Sequence, residues 1–339
     1  MSKIDVIIGV RNEEKHLERC LTSLQNQNLA DIQIFVVDGR SHDRTRDIVR
    51  EKMKKDSRIK LFDNPQRIIS SARNIAIKAS KAEYVAYLDG HCYVNEDWLE
   101  KLLETYEIYE KKCKVGGVGS TYASPDDDTS YGKVVASVLR TPLGGMGTAY
   151  SNDRKIETVD SIAFALYRRS TLIKGGIFYD ESMTQCEDTD FNYKLIKNGY
   201  VLLKHPQAFV YQYRRPNTSQ FFGQMVKYGE GRCNFAFKYR ETLKLFHLIP
   251  VIFVIYLLIV ILSLLISLFS GNPGLFVIVS IPLVIYFLMD ITYTLIIVSH
   301  NGLKGVYALI IFPSIHIGYG IGFLKRLLNK EGERKHNHK

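Results

Sequence analysis

Asp89 and His91 close the run YVAYLDGHCYV, residues 84–94, with a single glycine between them. On an extended segment, residues two apart project to the same face, so a carboxylate and an imidazole reach one space. A hard oxygen ligand beside an imidazole suits a divalent cation and favours Mn2+ over Mg2+. The other reading of His91 is a hydrogen bond to an anionic oxygen, with no metal. Further along, Glu187, Asp188 and Asp190 crowd the stretch CEDTDF ahead of a helical pattern. Crowded carboxylates repel, which raises one pKa and makes that group a better general base. The alternative for these acids is a helix N-terminus, where the dipole welcomes negative charge. Asp38 ends another apolar run and reads either as a ligand for hydrogen-bond donors or as a helix cap or Asx turn before SHDRT.

Alternating strands and helices must position these groups. KIDVIIGV reads as a buried strand, RNEEKHLERCLTSLQNQ as a helix with Leu17, Cys20, Leu21 and Leu24 on one face, and DIQIFVVDG as a second strand. SHDRTRDIVREKMKKD and SSARNIAIKAS follow as helices, RIKLFDN and EYVAYLDGH as strands. This alternation indicates an α/β domain with a mostly parallel, helix-covered sheet. Ligands of such sheets gather beyond the carboxyl ends of the strands, where Arg11-Asn12-Glu13, Asp38-Gly39 and Asp89-Gly90-His91 would line one crevice.

The chain has 339 residues and a net charge of +10, which suggests a phosphate-bearing partner, an anionic surface, or both. Five scattered cysteines without a CxxC argue against a disulfide framework or a zinc knuckle. No signal peptide is visible, so the N-terminal domain is expected in the cytoplasm. Residues 204–247 carry eight Lys/Arg against two Glu among Phe and Tyr, the composition of basic helices at a membrane surface. Three apolar segments follow, at 248–269, 275–298 and 303–324, each near the length that crosses a bilayer. Only Asp290 and Lys304 are charged between Leu248 and Leu324, which argues against soluble core helices and against a nucleic-acid-binding protein.

Taken in order and spacing, VIIGVRNEEKHLERCLTSL, VVDGRSHDRT, SSARNIAI, YVAYLDGH, GGIFYDESMTQCEDTDFNYKLIKNGY and YGEGR resemble the family 2 glycosyltransferases of GT-A fold, over about residues 3–235. LDGH in place of D-x-D, YGEGR and the apolar C-terminal region look most like the subgroup of succinoglycan-biosynthesis glucosyltransferases. The resemblance implies a nucleotide sugar, UDP-linked, held by Val10, Asn12, Glu13 and Asp38 at the base and ribose, with Arg73 at the base or diphosphate. It implies a metal on Asp89 and His91, Asp188 as the base of an inverting transfer, Glu187 or Asp190 as its orienting or acceptor-binding neighbour, and Arg232 of YGEGR near the donor phosphates. His91 replaces the second family Asp, which removes one negative charge. Gln224 lies eight residues before Arg232, unlike the Q-x-x-R-W of processive synthases, so addition of a single sugar is expected.

The expected domains are a transferase domain at 1–203, interfacial helices at 204–247, a membrane region at 248–324 and a basic tail at 325–339. The acceptor is expected to be a polyprenyl-linked saccharide at the cytoplasmic membrane face. A synthase acting on a bare lipid phosphate is the alternative among enzymes, and a catalytically dead membrane scaffold the alternative among non-enzymes. Membrane lipids are expected partners and nucleic acid is not. The tail has six Lys/Arg against two Glu, which places it inside. Two spans are therefore expected, with 303–324, which holds Pro313 and four glycines, re-entrant or interfacial.

Overall fold

The computed structural model describes residues 2–145 and 155–336, with side chains through 329. The last residues of the basic tail therefore lie outside the described residues. In chain order the elements begin with β1 (Ile4–Val10), α1 (Leu17–Gln25), β2 (Ile32–Asp38), α2 (Thr45–Lys55), β3 (Ile59–Asp63), α3 (Ile69–Ala79), β4 (Tyr84–Asp89) and β5 (Cys92–Val94). Next are α4 (Trp98–Tyr109), β6 (Val115–Ala123), α5 (Ser130–Leu139), β7 (Glu157–Thr158), β8 (Leu166–Arg168), α6 (Arg169–Lys174), α7 (Glu187–Lys197) and β9 (Val201–Gln212). Four longer helices follow: α8 (Thr218–Lys238), α9 (Ile249–Ser270), α10 (Gly274–Asn301) and α11 (Ala308–His336).

The chain divides into two compact units. In the first, drawn from 1–125 and 147–213, the strands form one sheet in the order β3-β2-β1-β4-β8-β6-β9-β5, with β7 on β9. The parallel half, β3-β2-β1-β4, positions the chemistry. Its register sets Val10 opposite Asp38, Asp38 opposite Asp63, and Gly9 opposite Asp89, so the polar strand ends share one edge. Period-2 alternation divides the core between the two faces. Ile4, Val6 and Ile8 pack with Leu17, Leu21 and Leu24 of α1 and Trp98 of α4, while Ile7, Val85 and Tyr87 pack with Ala72 and Ala76 of α3 and Phe191 of α7. A side chain at Gly9 would place its Cβ 2.3 Å from Ile69 Cδ1, so glycine there lets α3 lie close on β1.

The second unit, from 126–146 and 214–339, holds α5 and the four long helices. Helices α9 and α10 form an antiparallel hairpin that turns at Gly271 (φ 67°), with Phe253 and Tyr286 rings 4.7 Å apart. Pro282 interrupts the hydrogen-bond ladder of α10, and Tyr256 of α9 fills the break. Its hydroxyl accepts from Leu283 N (3.0 Å) and donates to Val279 O (2.8 Å). Most large side chains of the hairpin point outward, Leu258, Phe269 and Ile278 among them. The stretches Ile249–Ser270 and Gly274–Asn329 are long and apolar enough to cross a membrane, with mean hydropathies of 3.2 and 2.3.

Segment 303–324 is ordered as a short 3-10 helix (Gly302–Tyr307) followed by helix α11, which continues through Pro313. Helix α11 runs parallel to α8 at close approach. A Cβ at Gly322 would fall 1.9 Å from Val226 O, and one at Gly229 would fall 2.0 Å from Tyr319 O. Lys325 pairs with Glu230 (2.6 Å), and Arg326 donates to Asn234 (2.5 Å) along the same seam.

Candidate active site

Arg73 is the centre of the site. It lies on α3, its side chain only 7% exposed, and three carboxylates converge on it. Nη2 is 3.6 Å from Asp89 Oδ1 and Nη1 is 3.4 Å from Glu187 Oε1, while Nη1 also donates to Asp188 Oδ1. The ring centroids of Tyr87 and Tyr179 lie 5.7 and 5.0 Å from the guanidinium. Asp89 arrives from the end of β4, Glu187 and Asp188 from the first turn of α7. Cys186 just before α7 is left-handed (φ 59°), a conformation that costs a non-glycine residue and marks functional turns.

Charge does not balance here. One guanidinium faces three carboxylates whose side chains are 25%, 15% and 38% exposed. Burial and the neighbouring Asp188 push Glu187 up to about 7. Burial also raises Asp188, against the pull of Arg73. Asp190, third of the acidic run, is buried and turned away to an ion pair with Lys194 (2.7 Å), so it takes the structural role.

Beside this group, Asp89, His91 and Cys92 bring an oxygen, a ring nitrogen and a sulfur within 4.8 Å of one another. His91 Nδ1 lies 3.0 Å from Glu13 Oε1. A carboxylate and an imidazole converging next to excess negative charge fit a divalent cation. The structure thus brings together Arg73, Asp89, His91, Glu187, Asp188 and Glu13.

The loops after β1 and β2 are tied to each other. Asn12, left-handed at φ 57°, accepts from His42 N (3.1 Å) and donates its own N–H to Ser41 Oγ (2.9 Å). Asp38 has no exposed side-chain surface. It accepts from Ser41 N (3.2 Å) and from Arg46 (2.8 Å), which also reaches Asp63 (2.6 Å). Val10 is buried beneath the Gly90 turn. Arg232 belongs to the second unit, on α8, with its guanidinium 5.5 Å from the Phe235 ring centroid.

Sequence reasoning missed Tyr87, Tyr179, Arg46 and Cys92. Tyr87 carried a signal, since it precedes Asp89 by two on a strand and must share its face. Tyr179 comes from irregular chain and carried none.

Comparison with known proteins places the chain among glycosyltransferases. A family model described as glycosyl transferase family 2 matches residues 5–176. A dolichyl N-acetyl-α-D-glucosaminyl phosphate 3-β-D-2,3-diacetamido-2,3-dideoxy-β-D-glucuronosyltransferase of Methanococcus voltae is 28% identical over 237 residues, 68% of this chain and 73% of its own. The succinoglycan biosynthesis protein ExoA of Rhizobium meliloti is 27% identical over 249 residues, 72% of this chain and 73% of its own. Among solved structures, the mannosyltransferase PcManGT of Pyrobaculum calidifontis, in complex with GDP-Man and Mn2+, aligns with a TM-score of 0.60 over 97% of this chain and 88% of its own. At 15% identity that likeness shows the shared fold, GT-A.

Proposed function

This chain belongs to glycosyl transferase family 2, and on that premise we propose that it is an inverting transferase moving one sugar from a UDP-sugar to a polyprenyl-linked saccharide at the cytoplasmic membrane face. The observation that carries the reading is the junction of Asp89, Glu187 and Asp188 on Arg73. An inverting transfer needs a carboxylate to take the proton of the acceptor hydroxyl as the new bond forms. Asp188 fits: Oδ1 is held by Arg73, which leaves Oδ2 for the hydroxyl. Glu187, on the same guanidinium, orients the pair.

A nucleoside diphosphate is anionic and would be repelled by the excess carboxylates, so a divalent cation is needed to admit it. Asp89 and His91 would hold the ion, with Mn2+ favoured by the imidazole. When bound, it supplies positive charge to the departing diphosphate. Asn12 and the loop that buried Asp38 secures would support the base and ribose. The outward apolar hairpin supports a membrane location. The Methanococcus relative, whose name describes transfer onto a dolichyl-phosphate-linked sugar, supports the lipid-linked acceptor.

Replacing Asp188→Asn tests the assignment. The variant should bind UDP as tightly as wild type while turnover falls about a hundredfold or more, the scale of a lost general base. Retention of more than half the wild-type turnover would remove Asp188 from the role.

A further inference from the structure

We infer that Glu13 is a positioning residue that acts through His91: it fixes the ring so that Nε2 faces the ion held with Asp89. The inference rests on the metal reading above. His91 Nδ1 and Glu13 Oε1 are 3.0 Å apart, and both side chains are partly buried. A carboxylate only accepts hydrogen bonds, so Nδ1 carries the proton, and in the neutral ring Nε2 keeps its lone pair. Metal-bound imidazoles are commonly held this way, with the second ring nitrogen on a carboxylate.

Glu13 is itself fixed. Its backbone N–H donates to Thr45 Oγ1 (2.8 Å), and Thr45 is fully buried. Its side chain crosses over Gly90. A Cβ at position 90 would sit 3.1 Å from Glu13 Cγ and 2.9 Å from Val10 Cγ1. The middle residue of Asp89-Gly90-His91 thus leaves the space that Glu13 occupies. The pair also returns to the site the negative charge lost where His91 stands in place of an acid. Glu13 therefore serves the ion rather than the nucleotide base or ribose to which the family resemblance assigns it.

A double-mutant cycle on Mn2+ binding tests this, using the full-length protein in detergent and electron paramagnetic resonance of free Mn2+, without donor or turnover. Glu13→Gln should weaken Mn2+ binding about tenfold or more, the scale for removing a carboxylate behind a metal-bound His. In a His91→Ala background the same change should cost nothing further. Nitrogen-15 shifts of His91 in the metal-free protein should show the proton on Nδ1 in wild type. Losses that add in the double variant, or Mn2+ affinity indifferent to Glu13→Gln, would overturn the role of Glu13 and leave the metal site standing. A wild-type chain that binds no Mn2+ would refute the metal reading itself, and this inference with it.

Discussion

Replacing Arg73→Met should destabilise the first unit in a pH-dependent way, because it leaves three carboxylates facing one another. At 3.4–3.6 Å each ion pair of Arg73 with Glu187 or Asp89 is worth roughly 4–5 kcal/mol in gross attraction at an effective dielectric near 20. Desolvation of the guanidinium and repulsion among the acids offset much of this. Removing one partner of a buried pair costs about 3–5 kcal/mol, and partial exposure of these carboxylates lowers the figure to about 2–3 kcal/mol. For a unit of this size that is a fall in melting temperature of roughly 4–12 °C. The sign follows from the acids. Glu187 already stands at about 7 with Arg73 in place, and losing the cation raises it further. An acid whose folded pKa is raised contributes most below its unfolded value, and that contribution is lost as pH rises. The deficit should therefore be largest above pH ~7 and shrink toward pH ~4.5, leaving the pH-independent loss of contact with Tyr87 and Tyr179. Trp98, the only tryptophan, is fully buried in the first unit, so its fluorescence reports the transition. Equal deficits at acid and alkaline pH would refute the charge argument.

Three more outcomes follow from the same geometry. Since the base works ionised and burial raises the pKa of Asp188, turnover should fall as pH drops, and Glu187→Gln should move that acid limb to lower pH by removing the second carboxylate; an unmoved limb would separate Glu187 from the base. Gly322→Ala should destabilise the α8–α11 seam by about 1–3 kcal/mol, as overpacking does, whereas Gly223→Ala on α8 meets nothing within 4 Å and should be neutral in the same detergent thermostability assay. Helix α11 runs along α8, which carries Lys227, Glu230, Arg232 and Lys238, so its C-terminal half should lie at the inner interface. A cysteine introduced at Asn329 in a cysteine-free background should then react from the cytoplasmic side of oriented vesicles; reaction from the outer side alone would mean three crossings.

The parallel half of the sheet was readable because each strand is an apolar run stopped by a polar residue, and register then sets Val10 opposite Asp38 and Gly9 opposite Asp89. Helix α1 begins at Leu17, the first residue of its apolar face and later than the start of RNEEKHLERCLTSLQNQ, because Asn12 and Glu14 bond to the loop after β2 and Glu13 to Thr45. Asp89, Glu187 and Asp188 could be named from their neighbours in sequence, but their meeting on Arg73 could not. It depends on α3 seating on Gly9, where Gly9 meets Ile69, 60 residues further along the chain. Glu13 and His91 are 78 apart and meet only because the β1 and β4 ends are adjacent. The helix in 303–324 was obscured by Pro313 and its glycines, which read as breakers; in the structure the glycines admit neighbouring helices.

Transfer of label from radioactive UDP-sugars to lipid extract of the native host tests the central claim most directly. With full-length protein, label from one donor should pass into the organic phase in step with released UDP, and the Asp188→Asn protein should leave it in the donor. Label released only as free sugar in water, or equal transfer by the variant, would contradict the account.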